Sequence, residues 1–364
     1  MFLILSVIIY IWNENNYKQV WNGDRYVRKA YWAQAVLFFG VLIFFCGLRS
    51  GIADTGTYIG MFEGYPSNFS HIQWDDIGKD KGFYLISVLF KQFISKDFHG
   101  WLFLFAFISG IALMKGLVRY SEYFGFSCFL FIASTLFTYF VNGMRQFIVV
   151  TIFFCAAHLI FERKWKEYVI LILLLSTIHG SAIILLLVYF LGNVKPWGAS
   201  MRTVIVIAVI GGVFFDRIFP IFGNLLMETQ YKGYVDYIST KGVGSSVIRL
   251  AIAIIPCILA YMGRKVIAEE KNQCINFCIN MSVINFCLYV IATFSSGMAV
   301  GRLTTYFDIF NLVLIPWLLH HIFTEESKKI VILACMVFYI VFFYFQMVIT
   351  WNIGYESDIL NMFY

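Results

Sequence analysis

Long unbroken apolar runs alternate along this chain with short polar stretches, most of which carry Lys or Arg. The runs occupy residues 1–12, 30–48, 100–118, 124–141, 146–161, 203–220, 247–263, 274–295, 303–320 and 330–350. At about 20 residues per crossing, each reads as a membrane helix, the first slightly short. Barrel strands would instead show about ten alternating residues each, and only helices or closed barrels satisfy every backbone group in lipid. The pattern therefore predicts an all-α polytopic membrane protein with about 11–12 hydrophobic segments. Two stretches break the rule. Residues 82–95 are short and carry Lys91 and Gln92, and 168–191 is interrupted by Ser176-Thr177-Ile178-His179-Gly180-Ser181.

The placement of basic residues orients these segments, because cytoplasmic loops carry the positive excess. Loops 13–29, 115–119, 162–167, 264–273 and 321–329 all face one side if 82–95 does not cross and 168–191 breaks at His179 and returns. Lys195 and Arg202 then join that side, which holds 16 of the 27 Lys and Arg residues and 9 of the 21 Asp and Glu. The opposite face is left net negative. In this topology the N-terminus is outside, and Arg49, Arg145, the His179 break, the 221–246 loop and Arg302 all open toward the non-cytoplasmic side.

Composition agrees with the pattern. A chain that is 60% hydrophobic and 13% charged lacks the polar surface of a soluble globule. No internal repeat or low-complexity stretch divides it, so 1–364 reads as a single integral membrane domain with extracytoplasmic loops at about 49–99 and 221–246. The eight cysteines show no CxxC pair and no histidine at metal spacing, which argues against disulfides and zinc.

Six ionisable residues lie inside or beside the apolar runs: Arg49, Asp54, Arg145, His179, Arg302 and Asp308. An arginine at membrane depth costs at least about 2.5 kcal/mol on insertion scales, so a cavity, a partner or an anion must offset it. Arg145 sits in an Asn-Gly-Met-Arg turn before an apolar helix, where its charge and the free amides together favour an anion. Arg302 follows Gly301 at another helix start. Asp308 is six residues on, not a same-face spacing, and reads as a separate polar contact. Arg49 ends a span, and Asp54 lies in a Gly-flanked loop where it can act as a base, pair with Arg49 or cap a helix.

The segment from Gly47 through Arg49 and Asp54 to Tyr58 resembles the signature opening the first large loop of the EpsG family of Wzy-type polysaccharide polymerases. Asn142-Gly143-Met144-Arg145-Gln146, the basic 163–166 turn and then Ile178-His179-Gly180-Ser181-Ala182 are similar to that family's central block. Arg302-Leu303-Thr304-Thr305-Tyr306-Phe307 and Pro316 resemble a third. Together these span about residues 30–320. The 360–364 end lacks the Pro-Tyr pair that many members show.

The resemblance implies a GT-C-like glycosyltransferase of the bacterial inner (cytoplasmic) membrane. It would move a growing glycan from undecaprenyl pyrophosphate to the non-reducing end of another lipid-linked oligosaccharide repeat on the periplasmic or outer face. Arg145, Arg302 and Arg49 would bind the pyrophosphate, since planar guanidinium forks suit phosphate oxygens. His179 and Asp54 are the candidate proton acceptors for the incoming hydroxyl, and His179 is equally a candidate pyrophosphate ligand. With no metal-ligand cluster or DxD signature, no metal and no other cofactor is expected. Expected partners are the lipid-linked oligosaccharide, the bilayer, and a chain-length regulator and flippase of the same pathway; nucleic acid is not one. A polysaccharide ligase or a lipid-linked oligosaccharide flippase is the competing reading, and a transporter predicts paired broken helices where this sequence shows one.

Overall fold

The computed structural model of the protein describes all residues except Asp75, Asp76, 216–246, Ser295, Ser296, Ile353 and Tyr364. The expected 221–246 loop thus lies outside the described residues. Phe98–Tyr120, Gln273–Phe294 and Glu325–Thr350 are each long and apolar enough to cross a membrane. Two bent helix pairs meet the same length and apolarity only when taken together, Val247–Met262 with Arg264–Glu270 at 67° and Val300–Asp308 with Asn311–His321 at 51°, the geometry of a broken span or a re-entrant loop. Shorter apolar helices include Phe2–Asn15, Trp32–Gly47, Phe124–Ala133 and Ala199–Val213. The protein is an all-α polytopic membrane protein, as the runs predict.

The elements differ from the straight reading at particular residues. The 124–141 run is not one helix: it stops at Ala133, Thr135 takes a left-handed φ of 67°, and a 3-10 turn over Leu136–Phe140 follows. The Thr138 hydroxyl donates to the Thr135 carbonyl at 2.7 Å, which occupies the backbone group a helix would have used. Within 168–191 the helix Trp165–Ile178 ends and the backbone tightens to a 3-10 segment over Gly180–Leu187. This is the break expected near His179. Ser176 and Thr177 donate their hydroxyls back to the Leu173 and Leu174 carbonyls at 2.7 Å, a habit that loosens helices.

The chain divides into two compact units. The first comprises Met1–Ala157, Tyr168–Ile183 and Thr324–Tyr364, and the second His158–Glu167 and Ile184–Phe323. In the first, Phe98–Tyr120 packs against Trp32–Gly47 and Met144–Ala156. Small residues permit the approach: a Cβ on Gly110 would lie 2.4 Å from Ile43, and one on Gly116 would lie 2.5 Å from the Phe154 ring. In the second, the Asn280 amide donates to the Leu191, Gly192 and Val194 carbonyls, tying Gln273–Phe294 to the end of the broken segment.

The 49–99 region of the first unit folds as two short helices, Thr55–Gly64 and Lys81–Phe93, over a cluster of Tyr58, Phe62, Phe83, Phe90, Trp101, Leu102, Phe105, Met144 and Ile148. Lys81–Phe93 has 13 residues. At 1.5 Å each that is about 20 Å, short of a bilayer core of about 30 Å. Its inward face carries Phe83, Ser87, Val88, Phe90 and Lys91. Lys91 Nζ donates to the carbonyls of Phe62, Glu63 and Tyr65 at 2.7–2.9 Å, satisfying the orphan end of the neighbouring helix. The charge that made this segment ambiguous in sequence is therefore a helix cap.

Candidate functional site

Three chain segments meet at Asp80. This residue precedes the Lys81–Phe93 helix with φ +55°, a left-handed conformation that Asp tolerates better than most residues. Its Oδ1 accepts the Gly180 amide at 2.9 Å, and its Oδ2 accepts Arg145 Nη1 at 2.7 Å. His179 Nδ1 lies 3.7 Å from the same Oδ2, beyond hydrogen-bond length, and is buried without a partner. One carboxylate thus ties the broken helix to the start of Met144–Ala156.

Local sequence makes the meeting possible. Gly143, with φ +80°, supplies the left-handed turn that points Arg145 off the helix start. Gly82 lets Lys81–Phe93 lie directly against the end of the broken helix, since a Cβ there would fall 2.2 Å from Thr177 Oγ1 and 3.1 Å from the Thr177 carbonyl carbon. Beneath the polar layer, Met144 and Ile178 belong to the aromatic cluster, so the residues beside Arg145 and His179 are held by packing.

The Asp80 side chain is only 4% exposed. Burial alone would raise its pKa. Its interaction with His179, the Arg145 charge and the Gly180 amide outweigh that and hold it below the usual carboxylate range. Arg145, at 23% side-chain exposure, keeps Nε and Nη2 free of protein partners among the described residues. It opens on a cavity of about 760 Å³, within the size range of small-ligand pockets. The other walls include His71, Gln73, Lys79, Met61 and the pair Tyr65 and Tyr84, whose rings meet edge-on at 4.7 Å. Burial pushes the Tyr65 phenol up to about 12, so at neutral pH it is a hydroxyl donor.

A cavity lined by a guanidinium and two tyrosines has the chemistry for a ligand with an anionic group and hydroxyls. In comparison with known proteins, the sequence model of the EpsG family matches residues 32–357, most of the chain. The chain belongs to the EpsG family. EpsG is a family of Wzy-like polysaccharide polymerases. No curated protein and no solved structure matches the chain.

Within this EpsG-family protein the six residues singled out from sequence fall in different places. Arg145 and His179 come together, 34 positions apart in sequence, through Asp80. Sequence reasoning passed over Asp80. The available signal was an acid opening a short amphipathic helix, in a segment already set apart as too short to cross. Arg49 is fully buried and outside the cavity wall. Asp54 sits before the Thr55–Gly64 helix without capping it through its side chain, half-buried and outside the cavity wall. Arg302, exposed in the Gly297–Leu303 helix, belongs to the second unit. Asp308, also in that unit, accepts from the amides of Asn285 at 3.2 Å and Asn311 at 2.8 Å.

Proposed function

We propose that this EpsG-family protein extends polysaccharide on the non-cytoplasmic face of the bacterial inner membrane, using undecaprenyl-pyrophosphate-linked oligosaccharide as donor and a second lipid-linked repeat as acceptor. The observation that carries this reading is the Asp80–Arg145 pair in the wall of the 760 Å³ cavity, with His179, itself outside that wall, 3.7 Å from the Asp80 carboxylate. In the reaction the acceptor hydroxyl oxygen bonds to the anomeric carbon of the growing glycan. The bond from that carbon to the pyrophosphate oxygen breaks, and the hydroxyl proton passes to a base.

Arg145 stabilises the departing pyrophosphate. Its charge is permanent, and Nε and Nη2, unpaired among the described residues, are donors for developing negative charge on a cavity-bound ligand. His179 takes the proton. With its Nδ1 hydrogen directed at the Asp80 carboxylate, Nε2 holds the accepting lone pair, and Asp80 plays the orienting role that carboxylates play toward catalytic imidazoles. Such contacts are commonly long without substrate and tighten in the complex. Donor binding supports that tightening here, because Arg145 and His179 compete for the same Asp80 Oδ2. When pyrophosphate engages Arg145, the carboxylate is released toward the imidazole. Tyr65 and Tyr84 give the sugar portion hydroxyl partners and apolar ring faces. The residues assigned here work without a metal.

The test is a ladder assay with purified protein in lipid vesicles and the producing organism's own lipid-linked repeat. Products longer than one repeat, lost in Arg145→Ala, support the polymerase. Transfer of single repeats to lipid A or protein would mean a ligase, and transport across the vesicle without elongation would mean a flippase.

A further inference from the structure

Arg49 is buried at 0% exposure, and its guanidinium is occupied by three helix ends. Nη1 donates to the Cys46 carbonyl at the end of Trp32–Gly47. Nε donates to the hydroxyl of Thr55, the first residue of Thr55–Gly64, at 3.0 Å. Nη2 lies 3.5 Å from the sulfur of Met144, the first residue of Met144–Ala156. Arg145 is the next residue. A buried arginine is tolerated only when its donors are met, and here protein groups meet them.

The irregular stretch that carries Arg49 is itself clasped. Ser50 and Gly51 amides donate to the Glu356 carbonyl at 2.9 and 3.3 Å, and the Glu356 amide donates back to Gly51 at 2.7 Å. Tyr355 donates its hydroxyl to the Phe45 carbonyl at 2.9 Å, and the Ser357 hydroxyl donates to the Leu48 carbonyl. Ser50 donates its hydroxyl to the Asp358 carboxylate at 2.9 Å. A Cβ on Gly51 would lie 2.1 Å from the Glu356 carboxylate oxygen, so glycine leaves room for that side chain where it lies. Six groups on Phe45, Leu48, Ser50 and Gly51, on either side of Arg49, are thus held by one short segment more than 300 positions away.

We propose that Arg49 is a positioning residue for Arg145, acting through Met144, and that the 355–358 segment holds Arg49 in that place. Arg49 then serves the site without touching substrate, in contrast to its expected role as a pyrophosphate ligand. The proposal rests on the reading of Arg145 as the phosphate-binding residue.

The test uses full-length protein in lipid nanodiscs, with inorganic pyrophosphate as the probe in titration calorimetry and hydrogen exchange read at residues 144–148. Arg49→Lys should weaken pyrophosphate binding about 10-fold or more, the scale of second-layer substitutions at ligand sites. Met144→Leu, which keeps volume, should act in the same direction, as should Tyr355→Phe combined with Ser357→Ala. In an Arg145→Ala background, Arg49→Lys should add nothing. All three should speed exchange at 144–148. An Arg49→Lys or Met144→Leu protein that melts earlier yet binds pyrophosphate as the unaltered protein does would overturn the proposal, because that is a purely structural role. If the unaltered protein does not bind pyrophosphate, the reading of Arg145 fails. Exchange at 144–148 then still decides the mechanical link, with unchanged rates in the variants overturning it.

Discussion

Asp80 and Arg145, 65 positions apart, form a 2.7 Å ion pair in which the carboxylate is almost fully buried while the guanidinium reaches the cavity. The asymmetry fixes their roles. A buried carboxylate can act only on its immediate neighbours, whereas a partly exposed guanidinium with unpaired nitrogens can meet a ligand from the cavity. Removing either partner also leaves the other charge uncompensated, and at a buried carboxylate that penalty is large.

Substitution of Arg145 separates charge from geometry. Arg145→Ala is expected to lower elongation by about 10² to 10³, the usual cost of losing one donor to a developing oxyanion. Arg145→Lys should recover little, because an ammonium lacks the planar fork. The check is glycan ladder length at matched protein abundance, and full ladders from Arg145→Ala would remove this residue from the mechanism.

Asp80 sets a pH signature in stability. Its folded pKa lies below the unfolded value of about 3.9, so its contribution is present above that value and is lost as pH falls through the folded pKa. Asp80→Asn should therefore melt below the unaltered protein by a constant interval from pH 7 to about pH 5, and the interval should close only in stronger acid. Melting curves across that range test it. An interval that closes near pH 6 would point to a different titrating group.

His179→Gln keeps approximate shape and a hydrogen-bonding amide but removes the proton acceptor. Turnover at saturating donor should fall by about 10² or more, the typical contribution of a general base. A raised KM with near-normal saturating turnover would instead make His179 a pyrophosphate ligand.

Gly82→Ala probes the contact that brings Asp80 to the broken helix. The added methyl meets Thr177 on both its hydroxyl and its backbone. Overpacking of this kind costs about 1–3 kcal/mol, and displacement of Lys81–Phe93 should reduce elongation as well. Thr177→Ala in the same chain should restore part of both, because it removes the nearest atom. Equal activity of Gly82→Ala and the unaltered protein would show that Asp80 reaches Gly180 without this close approach.

The sequence by itself determined the class of the protein and offered candidate positions for its chemistry. Apolar runs need no partner to declare themselves, since any helix in lipid must be apolar along its length. The break at His179 was legible because 168–191 could match the loop charges only by turning back, and Ser, Thr and Gly at that point weaken a helix locally. Arg145 was singled out from the Asn-Gly-Met-Arg turn that precedes an apolar helix. These are signals carried within a few residues. Tertiary structure alone decided which ionisable groups meet. Asp80 became the centre of the candidate site through a bond to Arg145 65 positions away and another to Gly180 100 positions away. Lys91, which looked like a charge stranded in an apolar segment, proved to be a cap whose carbonyl partners lie 26 to 29 positions earlier. Arg49 looked in sequence like Arg145, a basic residue at the end of a span. Its burial among Cys46, Thr55 and Met144 separates the two, because burial is set by which helices pack around a residue, and hydrophobic periodicity along one segment carries no record of that.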